Sequence, residues 1–172
     1  MLTRISLWAT LLASVALCFS TPGCAADTAQ LDITGTLIKP PCTASFPASQ
    51  SVDIPKVSLN SLRSDSTDWT DVALNFQCIK GSQVHLRFSP GNGAFDSSTL
   101  RTTLDKLGLR TRLIDRTSAL KTVDLKLGEP LIFPVEDTLL NLTLSVRPAQ
   151  VGEELPAIGS YSSTLLMEII YL

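Results

Sequence analysis

The stretch LDITGTLIKPPC, Leu31 to Cys42, opens as a strand without an evident partner. Leu31, Ile33 and Leu37 fall on one face with small Gly35 between them, and Asp32, Thr34 and Thr36 fall on the other, the period of two that marks a half-buried strand. No two-residue turn folds it back; Lys39, Pro40, Pro41 and a cysteine follow instead. Its apolar face must therefore find cover somewhere other than an adjacent hairpin.

Upstream, Arg4 precedes an almost wholly apolar run from Ile5 to Phe19, which Thr21, Pro22 and Gly23 break before Cys24, Ala25 and Ala26. This pattern predicts a cleaved secretory signal over residues 1–26. The run is 15 residues long, short of the roughly 20 that span a bilayer. A retained membrane anchor stays open, as does a lipid on Cys24, although that site lacks the usual leucine three positions earlier. Cleavage would leave 146 of the 172 residues, the size of one domain, with 13 basic against 16 acidic groups. The charges are scattered and no basic run attracts nucleic acid or anionic lipid.

Cys18 and Cys24 would leave with the signal, so Cys42 and Cys78 remain. Two cysteines in an exported chain most simply pair in an oxidising compartment. Closing that loop would stabilise the fold by about 4 kcal/mol on the loop-entropy model. A catalytic thiol or a metal site is the alternative, but there is no C-x-x-C pair and a single histidine, His85.

Downstream come short strands separated by turn residues. Ser51 to Val57 (SVDIPKV) reads as an edge or bulged strand because of Pro55. Val72, Leu74, Phe76 and Cys78 alternate, as do Val84, Leu86 and Phe88, and SPGNG (Ser89 to Gly93) reads as a hairpin turn. Leu107 to Leu113, Val123 to Leu127, Leu140 to Val146 and Tyr161 to Leu172 complete the set. Only a brief helical turn is expected, around Asn60 to Asp65. Strands at this spacing predict an antiparallel sandwich of about seven strands, one domain behind an N-terminal arm.

Catalysis has little to draw on. His85 alternates with Gln83 and Arg87 on the polar face of its strand and reads as a solvated surface group, while Glu153, Glu154, Glu136 and Asp137 fall in loops. Gly91 to Gly93 is too short for a phosphate cradle. Asn141 to Thr143 matches a glycosylation triplet, but its polar residues read as the outward positions of an alternating strand. No catalytic residue, metal or cofactor is expected.

Two ends remain: the arm with Ala29, Leu31, Ile33, Gly35 and Leu37, and the last strand with Leu165, Met167, Ile169 and Tyr171 alternating. With VALNFQC, LGLRTRLID and the ending GSYSSTLLMEIIYL, in which Gly159 stands fourteenth from the end and Tyr171 penultimate, the chain resembles pilin subunits of the chaperone–usher pathway, of the type 1 and P pilus kind. The resemblance implies an all-β, incomplete immunoglobulin-like sandwich lacking its last strand, with an N-terminal donor-strand arm. By residue it implies a signal at 1–26, a donor extension at 27–39 and a pilin domain at 40–172.

It further implies that Ala29, Leu31, Ile33, Gly35 and Leu37 fill a groove in a neighbouring subunit, with Gly35 where that groove is shallow and Pro40 and Pro41 stiffening the junction. Before assembly a periplasmic chaperone would lend the missing strand along Gly159, Leu165, Met167, Ile169, Tyr171 and Leu172, gripping the terminal carboxylate. An outer-membrane usher would then pass the subunit to the cell-surface fimbrium, with no membrane insertion of the cleaved chain. The arm is poor in aromatics and Leu100 to Leu144 is rich in leucine, which fits a minor or adaptor subunit or a divergent major one. A tip adhesin is the alternative, but 146 residues leave no room for its extra lectin domain; a free-standing exported or lipid-anchored sandwich is the third reading.

Overall fold

The computed structural model describes residues 32–37, 39–117 and 120–170, so the expected signal at 1–26 lies outside the described residues. The chain divides into two units, Met1–Leu37 and Ile38–Leu172, and the strands found among the described residues all belong to the second. Residues 32–37 carry no strand pairing.

Two antiparallel sheets form the second unit. The larger runs in the order β1 (Cys42–Ala44), β2 (Thr70–Cys78), β8 (Leu139–Gln150), β5 (Leu107–Asp115), β4 (Thr99–Arg101), with β6 (Lys121–Val123) also on β5. The smaller places β3 (Gln83–Pro90) between β7 (Pro130–Pro134) and β9 (Leu165–Ile170). One helix, α1 (Leu59–Arg63), stands where the brief turn was expected. Ser58 caps it by accepting the Ser61 N–H at 3.1 Å, satisfying one otherwise orphaned donor.

Alternation builds the core. Leu74 and Phe76 of β2 lie opposite Leu142 and Leu140 of β8, and all four are buried together with Val84, Leu86 and Phe88 from the facing sheet. Each large side chain removed from water contributes about 1.5–3 kcal/mol. The Phe46 ring meets Phe76 edge-on with centroids 5.3 Å apart. Cys42 and Cys78 are register partners on β1 and β2 and form the disulfide expected of them.

Several expectations are corrected. Among the described residues nine strands stand where about seven were expected, because β1 and β4 are three-residue pairings and β7 was not read; the strand expected over Val123 to Leu127 is instead β6, Lys121–Val123. β7 went unread, since Pro130 and Pro134 punctuate it at both ends; prolines are tolerated there because β7 is an edge strand. Ser51 to Val57 is not a strand: among the described residues no neighbouring strand pairs with it. SPGNG does not close a hairpin either. It carries the chain from β3 in the smaller sheet to β4 in the larger one. The last strand begins at Leu165 rather than near Tyr161.

Candidate functional site

β9 is bonded on one edge only. It pairs with β3 through Pro90↔Leu165, Phe88↔Met167 and Leu86↔Ile169, and no strand among the described residues lies on its other side. Phe88 and Leu86 are fully buried, whereas their partners Met167 and Ile169, and Leu165 beside them, stay half-buried against the core. Three inward-facing apolar side chains and one row of unpaired backbone groups are thus left without cover. Such an edge is a template for a further strand.

The segment after β1 makes the same point from the opposite direction. Phe46 and Ile54 are half-buried against the core, yet no backbone hydrogen bond ties residues 46–57 to another strand among the described residues. At the end of this segment a cavity of about 240 Å³ opens, lined by apolar residues that include Val57, Leu62, Leu104, Leu107 and Tyr161. Burial pushes the Tyr161 phenol above its ordinary pKa of 10.0, so it stays neutral in that apolar lining.

The chain entering β9 is fixed firmly. Thr103 donates its N–H to the Ser162 carbonyl at 3.0 Å, and the Ser163 hydroxyl donates to the Arg101 carbonyl at 2.6 Å. Gly91 donates to the Thr164 carbonyl at 2.8 Å, and a Cβ on Gly91 would stand 2.9 Å from the Thr164 Cβ. Glycine is what lets the two backbones approach, a role for Gly91 that its place in SPGNG did not reveal.

Of the arm residues, Ile33 is 87% exposed and Leu37 fully exposed, and a side chain at Gly35 would meet nothing within 4 Å. Ala29 and Leu31 lie outside the described residues, as do Tyr171 and Leu172. Gly159 is not in the strand; it lies in the preceding loop, where an added Cβ would make ordinary contact with Leu104 at 3.7 Å.

His85 sits in β3 with Ile132 and Ile170 as cross-strand partners and is half-buried rather than solvated. Thr143, read as an outward residue of a glycosylation triplet, does face away from the core but is buried, accepting the Arg116 Nε–H at 2.7 Å. No helix among the described residues is long and apolar enough to cross a membrane.

No family model matches the sequence, and no curated protein matches it. Solved structures do match its fold. The P pilus rod subunit PapA is 21% identical with a TM-score of 0.55, over 77% of this chain and 99% of that one. A chaperone–usher pilus structure is 19% identical with a TM-score of 0.58, over 88% of this chain and all of that one. The chain has the β-sandwich fold of chaperone–usher pilins.

Proposed function

We propose that this protein is a structural subunit of a bacterial surface fimbria, joined to its neighbours by donation of the N-terminal arm. The observation that carries the reading is β9: a strand bonded to β3 on one edge and to no strand among the described residues on the other, whose Leu165, Met167 and Ile169 remain half-covered against the core. A partner strand of alternating apolar residues would complete it, and Ala29, Leu31, Ile33, Gly35 and Leu37 supply that alternation. Five alternate positions outnumber the three inward residues of β9. The cavity lined by Val57 and Tyr161 offers room for the surplus.

In this reading residues 1–26 are removed on export, 27–39 form the donor extension and 40–172 the receiving domain. Burying Leu31, Ile33 and Leu37 would contribute roughly 5–9 kcal/mol, from which the ordering of a free segment is subtracted. Ladder bonds add to it and alternate side chains select the groove. An uncovered edge invites aggregation, which is why a periplasmic chaperone lending a temporary strand, and an outer-membrane usher exchanging it, are the partners the reading requires. The role is non-enzymatic and needs no metal or cofactor.

The test is a peptide of residues 27–37 added in excess to the exported chain. At about one hundred times its dissociation constant a ligand of the native state adds about 2.7 kcal/mol, so the melting temperature should rise by several degrees. A peptide with Ile33→Asp should leave it unchanged. Equal effects of the two peptides, or none from either, would sink the reading. Deleting residues 27–37 should in turn leave chaperone binding intact and abolish incorporation into a neighbour's groove; continued incorporation would show that the arm is not the donor.

A further inference from the structure

The outward face of the larger sheet carries a cluster that strand donation does not use. Arg110 and Arg112 take outward positions on β5. Arg116, just past that strand, folds over the face and donates its Nε–H to Thr143 at 2.7 Å. Arginine thus fills three of the four alternate positions from 110 to 116, a line of guanidinium groups roughly 20 Å long at 3.3 Å per residue. Arg147 on β8 is the direct cross-strand partner of Arg110, and like charges set opposite each other cost stability.

Only part of this charge is answered. Asp65 bonds Arg147 at 2.9 Å and Arg110 at 3.3 Å, and Asp71 lies 3.6 Å from Arg116, so two carboxylates pair with four arginines. Arg112 is in no ion pair among the described residues, and its buried Nε–H has no partner there. Its guanidinium lies instead 4.1 Å from the Trp69 ring centroid, with that of Arg147 at 5.0 Å. The stack fixes the Arg112 side chain before any ligand arrives, and an ion pair made by a preorganised fork loses little rotamer freedom. Arg147, its side chain 11% exposed, serves with Trp69 as the support, while Arg110 and Arg116 stay open to solvent.

We propose that this face binds a linear acidic polysaccharide, whose sulfate or carboxylate groups pair with Arg110, Arg112 and Arg116 along β5. A guanidinium fork donates to such an oxyanion through two parallel N–H bonds. A chain of spaced anions matches the line of cations, which no single small ion can bridge. Single-stranded nucleic acid, another linear polyanion, is bound where aromatic rings offer their faces to bases, and the Trp69 ring is already occupied by Arg112 and Arg147. The attraction is local: the chain as a whole carries a formal net charge of −2, so a polyanion is drawn to this face and not to the molecule at large. The class of ligand rests on the reading above that places the protein at a bacterial surface; the site rests on the sheet face and does not depend on strand donation.

Trp8 falls within residues 1–26, so Trp69 is the one tryptophan of the exported chain and its emission reports the site. Heparin titrated into that chain at about 50 mM salt should change the emission saturably, and about 200 mM salt should weaken binding roughly tenfold or more, as for a polyanion that sheds counterions on binding. Arg112→Gln, which leaves both Asp65 ion pairs in place, should lower the affinity about tenfold or more. Arg112→Lys should recover only part of it, because the charge is kept and the fork is lost. Lys80→Gln makes the same change of charge beyond the far end of β2 and should have no effect. Asp71→Asn removes a carboxylate from the face and should tighten binding several-fold, which tests the site even where an Arg112 variant folds poorly. No saturable change with heparin, equal losses from Lys80→Gln and Arg112→Gln, or single-stranded DNA binding as tightly as heparin overturns the proposal. Heparin binding without a melting shift from the 27–37 peptide would count against strand donation and leave this site standing; a peptide shift without heparin binding would do the reverse.

Discussion

β8 and β9 carry the same alternation and end up in different states. In β8, Leu140, Leu142, Leu144 and Val146 face the core and all are buried, because β2 and β5 flank the strand on both sides. In β9, Leu165, Met167 and Ile169 face the same core and none is fully covered, because among the described residues only β3 flanks it. Side-chain pattern sets which face turns inward; the number of neighbours decides how much of that face leaves water. The difference locates the place where the molecule is unfinished.

If the difference is real, truncations on the two strands' sides of the core must differ in cost. Phe76→Ala, beneath the β2–β8 pairing, should lower stability by about 3–5 kcal/mol in urea denaturation. Replacing Cys42 and Cys78 by serine should cost about 2–4 kcal/mol by the same measurement. Met167→Ala should cost only about 1 kcal/mol, since its side chain is only partly withdrawn from water, while abolishing most of the melting shift produced by the 27–37 peptide. A Met167→Ala loss equal to that of Phe76→Ala would break the comparison: β9 would then be as complete as β8.

Much of the sandwich was legible because β2, β3, β5 and β8 are long enough for alternation to repeat, and a repeated pattern reports a buried face. β1 and β4 were not, since three residues hold no period, and β6 was placed too late, over Val123 to Leu127; the pairing of all three comes from strands brought alongside by the rest of the fold. Ser51 to Val57 fails in the opposite sense, carrying strand chemistry without a strand to pair with. β9 could be read as a strand, but its one-sidedness could not, because being an edge is a property of topology. The same holds for the cavity, which joins Val57, Leu104 and Tyr161, and for the outward face, where Trp69, Arg110, Arg112 and Arg147 meet only through the register of β2, β8 and β5. Thr143 was correctly placed outward and still lies buried, because Arg116 folds over it.

The smallest expected effect sharpens the comparison by separating the two sheets electrostatically. Hydrogen bonding from Arg147, with the charges of Arg147 and Arg110, holds the Asp65 carboxyl below its ordinary pKa of 3.8. A carboxyl depressed in the folded state contributes stability that is complete above its unfolded value and is lost as pH falls through the folded one. As Asp65 takes up a proton below pH 3.8, Arg110 and Arg147 face each other across the β5–β8 pairing with nothing between them. Asp65 is largely exposed and screened, so the contribution should stay at or below about 1 kcal/mol. Asp65→Asn should therefore be slightly less stable than the wild type at neutral pH, and the two should converge in urea titrations as the pH drops below that range. β9 lies in the other sheet and pairs with neither arginine, so the 27–37 peptide should raise the melting temperature of Asp65→Asn as much as that of the wild type; a reduced shift would mean that the outward face of the larger sheet and the open edge of the smaller one are coupled.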